Sequence, residues 1–164
     1  MSTNKPMPAP TEISAPFWDG LKSGRLTIQR CNSCGHWIFY PRRDCNKCWS
    51  HDVAWHEVSG AGSLYTYTLT RIPTLPDFAD EMPQAMAVVE LDEGVRINTT
   101  LVGLAEDEIR VGMRLKPVFD QVKGDGTTLL RLTGVDKTCT PRRPDAPAAE
   151  PAPETPPVAV TKVA

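Results

Sequence analysis

Long apolar runs are missing from this sequence. No stretch approaches the roughly 20 residues that a membrane-spanning helix needs. The opening residues, MSTNKPMPAP, hold no apolar run of the kind a secretory signal carries. The chain is therefore expected to be cytoplasmic, with no membrane partner. A surplus of either charge is missing too. Lys and Arg number 18, Asp and Glu 20, and the pI is near 5.9. Such a balance supplies no general field to draw in nucleic acid. Histidine is scarce, with three residues at 36, 51 and 56. No Ser-His-Asp grouping, no carboxylate pair beside a histidine and no phosphate loop can be picked out. A catalytic site of the chain's own is not expected.

Periodic apolar patterning is lacking at both ends. Residues 1–13 read as a disordered N-terminus, with three prolines among the first twelve residues. Residues 141–164 read as a disordered Pro/Ala-rich tail, with 7 prolines in 24 residues. Neither segment has an apolar face whose burial would offset its ordering entropy. Between them, "SAPFWDGLKSGRL" predicts a short helix, with Ser14 as N-cap and Pro16 in the first turn. Gly24 stands where the helix should stop. "RLTIQR" alternates as a strand. Five further segments are rich in β-branched and aromatic residues: 63–72, 85–91, 95–104, 113–122 and 127–135. Asp92-Glu93-Gly94 and Lys123-Gly124-Asp125-Gly126 read as hairpin turns. Short strands, Gly-rich turns and no long helix predict a mainly β chain ending in a small barrel. The Pro-rich segment 73–84 is the longest irregular piece, and such loops are usually functional or disordered.

Cysteine is sparse but concentrated. Four of the five lie in "CNSCGHWIFYPRRDCNKCW", as C-x2-C-x10-C-x2-C at Cys31, Cys34, Cys45 and Cys48. Each pair can wrap one side of a tetrahedral metal, and four thiolates leave no open position. Zinc is the expected occupant of this closed, structural site, with iron possible in overproduced protein. A thioredoxin-like motif would use a single C-x-x-C in a βαβ setting. Disulfides are uncommon in the cytoplasm. Gly35 follows the first pair, and Trp49 stands at the matching position of the second. His36 reads as a loop residue rather than a ligand, and Cys139 as a bystander. The cysteines account for folding, not for activity.

The ordered set "PFWDGLKSGRL", "RCNSCGHWIFYPR", "CNKCW", "WHEVSGAGSLYTYTLTRIP", "AVVELDEGVRI" and "VGMRLKPVF" resembles the zinc-ribbon OB-fold family, DUF35. The resemblance covers the chain between its two ends. It implies a helix plus rubredoxin-like ribbon over 14–58 and a five-stranded OB-fold over 59–140. It also implies a non-catalytic accessory subunit that helps to hold acyl-CoA. The implied partner is a thiolase-type acyltransferase, with a MaoC-like enoyl-CoA hydratase or a CoA-dependent aldolase as alternatives.

Coenzyme A needs cations for its phosphates and an aromatic surface for adenine. Arg42, Arg43 and Lys47 in the ribbon could supply the first, as Arg forks suit phosphate oxygens. Arg30 lies just before them. Tyr65 and Tyr67, two apart in a strand and so expected on one face, could supply the second. The same residues also read as a solvated rim and as ordinary strand positions. Phe17, Trp18, Trp37, Phe39 and Tyr40 exceed what a small ribbon can bury, and are expected at a partner interface. A module binding single-stranded nucleic acid remains the rival reading, since bases stack on tyrosines. It is disfavoured by the acids at 90, 92, 93, 106, 107 and 108 in the barrel segment.

Overall fold

The computed structural model describes residues 6–122 and 127–136. The expected turn at 123–126, Cys139 and the tail at 141–164 lie outside the described residues. The chain runs through helix α1 (Ala15–Lys22) and strands β1 (Leu26–Cys31), β2 (Trp37–Ile38) and β3 (Val53–Val58). Strands β4 (Gly62–Thr70), β5 (Gln84–Leu91), β6 (Arg96–Leu101), β7 (Arg114–Gln121) and β8 (Thr128–Gly134) follow. No helix among the described residues is long and apolar enough to cross a membrane.

Helix α1 forms where Phe17 and Leu21, four apart, share a face. Both are buried. Pro16 sits in its first turn. Ser14 takes the N-cap position, but its hydroxyl does not cap the helix. That hydroxyl instead accepts the backbone N–H of Thr11 at 2.9 Å. At the other end Gly24 N–H donates to the Leu21 carbonyl at 3.0 Å, and Arg25 N–H to the Gly20 carbonyl at 2.9 Å. These two bonds satisfy carbonyls that the helix would otherwise leave open.

Two sheets follow. The first has strand order β2-β1-β3, with β1 paired antiparallel to β3 along its whole length, from Leu26↔Val58 to Cys31↔Val53. The second closes into a barrel in the order β4-β5-β6-β8-β7, with β7 returning to β4. Closure is possible because Gly62 pairs with both Leu91 and Leu115. A Cβ at Gly62 would strike the Glu90 carbonyl and approach Leu91 Cα to 2.9 Å. Only glycine admits the β5 backbone so close at this corner. The parallel pairing of β6 with β8 at Leu101↔Leu132 completes the ring.

One apolar core runs through helix, ribbon and barrel. Phe17, Leu21, Leu26, Ile28 and Val58 join Leu64, Val89, Ile97, Leu115 and Leu132 in a single buried cluster. Each such aliphatic side chain contributes about 1.5–3 kcal/mol on burial. A second, much smaller cluster holds Cys31, Ile38 and Cys45, with Val53 against it. The far half of the ribbon thus has little apolar support of its own.

Strand β4 departs from simple alternation. Its pairing with β5 shifts between Leu64 and Thr66, so Tyr65 is the extra residue of a bulge. Tyr65 is 49% exposed. Tyr67 packs on the core and donates its hydroxyl to the Ile109 carbonyl at 3.4 Å. The two tyrosines therefore do not share a face, because one inserted residue inverts the register of the face beyond it.

Candidate functional site

The four cysteines converge. Their sulfurs all lie within 4.8 Å of one another, and the Cys31–Cys48 and Cys34–Cys45 pairs stand 3.6 Å apart. A tetrahedral zinc with Zn–S near 2.3 Å requires S···S edges of about 3.8 Å, so two edges already lie close to that length and the set suits that ion. Two matched backbone turns build it. In the first, Gly35 N–H donates to the Cys31 carbonyl and Cys31 N–H to the His36 carbonyl, at 2.8 and 2.9 Å. In the second, Trp49 N–H donates to the Cys45 carbonyl and Cys45 N–H to the Ser50 carbonyl, both at 2.9 Å. The match extends to the dihedrals. Gly35 has φ 71° and Trp49 has φ 60°.

The sulfurs share charge unequally. Burial raises the Cys31 thiol, but the backbone N–H groups of Cys34 and Ser33 and the Cys48 and Cys34 thiols outweigh it, lowering it to about 7. Cys45 is lowered as well: burial opposes the shift, and the N–H groups of Lys47 and Cys48 carry it. At Cys48 the Ser50 N–H pulls downward. The Cys34 thiol, burial and the Cys31 and Cys45 thiols prevail and push it up to about 12. A divalent cation in the middle removes that conflict by holding all four as thiolates. Such a metal would supply a cross-link between the two turns, with no position left for a substrate.

The cations expected to meet phosphate fall in different settings. Arg30 is spent within the ribbon: its Nε donates to the Gly35 carbonyl at 3.2 Å and its guanidinium lies over Trp37. Arg42, Arg43 and Lys47 are exposed and form no ion pair among the described residues. Arg42 is held by its backbone, whose N–H donates to Gln29 Oε1 at 2.7 Å. Tyr65 is covered by Arg96, whose guanidinium carbon stands 3.7 Å from the ring centre.

Four of the five expected interface aromatics form a row, while Trp37 meets His56 edge-on, 5.9 Å between ring centres. Phe17 is buried in the chain's own core, and Trp18, Trp37 and Phe39 pack partly against it. Phe17 meets Trp18 and Phe39 at 5.2 and 5.9 Å between ring centres, and Phe39 meets Tyr40 at 4.4 Å. Tyr40, 56% exposed, reaches the barrel, where its hydroxyl accepts Asn98 Nδ2 at 3.1 Å.

Beside this row lies a feature that sequence spacing did not reveal. A groove of about 560 Å³ runs between α1, the end of β2 and the barrel. Trp18, Phe39, Tyr40, Phe78 and Leu130 line it, with Arg131 along one side. The size suits a small-molecule site. Arg131 is only 12% exposed and ion-paired with Asp120 at 2.9 Å and Glu81 at 3.4 Å. Its charge is thus compensated from within. Segment 73–84 contributes a 3-10 turn, Pro76–Glu81, which places Phe78 and Glu81 on the groove wall. Gln84 Nε2 donates to Glu81 at 3.1 Å and steadies that wall. The lining comes from residues more than 110 positions apart, which no local pattern could join.

Comparison with known proteins matches the same two parts. Residues 18–54 match the model described as "ChsH2, rubredoxin-like zinc ribbon domain", and residues 55–120 that of "ChsH2, C-terminal OB-fold domain". A "DUF35 domain-containing scaffold protein" of Methanocaldococcus jannaschii is 34% identical over 112 residues, covering 66% of this chain and 78% of the relative. A "probable enoyl-CoA hydratase alpha subunit" of Thermomonospora curvata is 39% identical over 121 residues. That match covers 74% of this chain, which spans only 37% of the relative's length. A solved chain of an "Ltp2-ChsH2(DUF35) aldolase" superposes with TM-score 0.69 at 35% identity, covering 78% of this chain and 98% of that one.

Proposed function

The chain belongs to the DUF35 family of zinc-ribbon and OB-fold proteins, and from that premise we propose that it is a non-catalytic subunit of an acyl-CoA-processing complex. The partner we favour is a hydratase or aldolase subunit. Relatives named for those two activities support this choice, and it takes precedence over the thiolase-type acyltransferase that the resemblance first suggested. The observation that carries the acyl-CoA reading is the aromatic groove between ribbon and barrel.

An acyl-CoA is amphipathic. Its acyl and pantetheine parts are uncharged, and its nucleotide end carries phosphates. The groove suits the first part, because its Arg131 charge is already matched by Glu81 and Asp120. A bare cation there would have favoured an anion instead. The phosphates would meet Arg42 and Arg43, which directly follow the groove residue Pro41 and whose side chains form no ion pair among the described residues. Tyr65 with Arg96 above it offers a second stacking surface on the barrel. Zinc at Cys31, Cys34, Cys45 and Cys48 would hold the ribbon end in place and take no part in the chemistry.

Reconstitution tests the proposal. The hydratase- or aldolase-type subunit should be assayed alone and with this chain, alongside gel filtration of the mixture. A stoichiometric complex with at least tenfold higher activity than the subunit alone is expected. Full activity of the subunit alone, with no complex, overturns the reading.

A further inference from the structure

Trp49 is the most exposed aromatic among the described residues, at 78%. The other three tryptophans are all partly buried. Its backbone is also unusual. With φ 60° it adopts the left-handed conformation that its counterpart Gly35 adopts at φ 71°. Glycine has no Cβ to clash there, whereas other L-residues enter the region at a cost. Trp49 therefore combines two unfavourable choices, an exposed indole and a strained backbone, where glycine would serve the metal turn equally well. No contact of the indole among the described residues compensates either one.

The position is rigid. Trp49 N–H is bonded to the Cys45 carbonyl, and Ser33 and Ser50 join the two turns through their hydroxyls at 2.8 Å. A backbone held this way has little freedom left to lose on docking, which lowers the cost of binding through the side chain it presents. Charges of both signs lie beside it, but the carboxylates are held within the ribbon. Asp44 is engaged by His51, and Asp52 by Asn32 at 2.7 Å. Lys47 is exposed, two residues from Trp49, and forms no ion pair among the described residues.

We propose that the second zinc turn is a docking anchor, with Trp49 seated in an apolar pocket of the partner enzyme subunit and Lys47 meeting a carboxylate at its rim. Tryptophan dominates buried interface centres, and a flanking charge sets orientation. The inference rests on the reading that the chain works in a complex, and it names the part of the chain that holds the complex together.

The test uses the full zinc-loaded chain and the hydratase- or aldolase-type subunit with which it co-purifies from its native cell. Trp49→Gly and Trp49→Asn both suit a left-handed backbone and both remove the indole. Each is expected to melt no lower than wild type and to weaken the complex by about 30-fold or more. In wild type, acrylamide should quench the Trp49 component strongly in the free chain and weakly in the complex. Unchanged affinity of both variants overturns the anchor while leaving the complex itself intact, whereas no complex with wild type removes the functional reading beneath it. A fall in Tm of 5 °C or more in both variants would make Trp49 a folding residue. Quenching of Trp49 by adenosine diphosphate, or a self-associated dimer lost in both variants, would assign the indole to a nucleotide or to a second copy and likewise overturn the proposal.

Discussion

Single residues carry much of what distinguishes this chain, and they were unequally visible. The C-x2-C spacing announced the metal set, because four thiolates at those intervals have few other uses outside an oxidising compartment. That Trp49 copies the dihedral of Gly35 was not visible, since tryptophan gives no sign of a left-handed backbone. Long-range ion pairs were equally hidden. Arg114 clamps Asp92 through two N–H···O bonds of 2.7 Å, tying the β5–β6 turn to β7. Those bonds, reinforced by the guanidinium charge and opposed by burial, lower the Asp92 pKa. The sign follows from the direction. A carboxylate with a folded pKa below its unfolded value of about 3.9 adds stability above that value and loses it as pH falls through the folded pKa. NMR titration should therefore show Asp92 titrating below about 3.9 in wild type and moving upward in Arg114→Gln. An unchanged Asp92 titration in the variant would mean that the clamp does not hold in solution.

Among elements, the division of the core decides what metal loss does. Strand β1 is shared between two environments: Leu26 and Ile28 belong to the large core, and Cys31 belongs to the small cluster at the metal end. Cys34→Ser, or chelation, should open the two cysteine turns and β2. Helix α1, the barrel and the barrel-proximal half of β1 should stay folded. Structural zinc can contribute on the order of 10 kcal/mol, far more than three small buried side chains can replace. Hydrogen exchange is the measurement: protection should vanish around 31–50 and persist in β5 and β8. Global loss of protection would show that the metal supports the whole fold. The barrel strands were legible because each is rich in β-branched and aromatic residues and bounded by turn residues. Strand β3 was missed as a strand, since "VAWHEV" lacks clean alternation and its first four positions, 53–56, are all only partly buried. The bulge at Tyr65 was missed for a different reason. It is a property of the pairing between strands, and the sequence of one strand does not contain it.

At the scale of the whole molecule, the groove exists because helix, ribbon and barrel share one core and so meet at fixed angles. It gathers Trp18 from the helix, Phe39 and Tyr40 after β2, Phe78 from the 73–84 segment and Leu130 from the last strand. The aromatic residues were recognisable as a surplus, but their destination was not. Phe17 is absorbed by the chain's own core, while Phe39 and Tyr40 turn toward the groove. The proposed roles put acyl-CoA on the groove side of the ribbon and the partner enzyme at its Trp49 end. Under the proposed function, the groove would hold the uncharged arm of an acyl-CoA. Calorimetric titration of the reconstituted complex with a medium-chain acyl-CoA and with free coenzyme A tests it most directly, using wild type and Leu130→Glu. Acyl-CoA is expected to bind at least tenfold tighter than free coenzyme A in wild type, with that margin lost in Leu130→Glu. Equal affinity for the two ligands, or a margin untouched by the substitution, would contradict it.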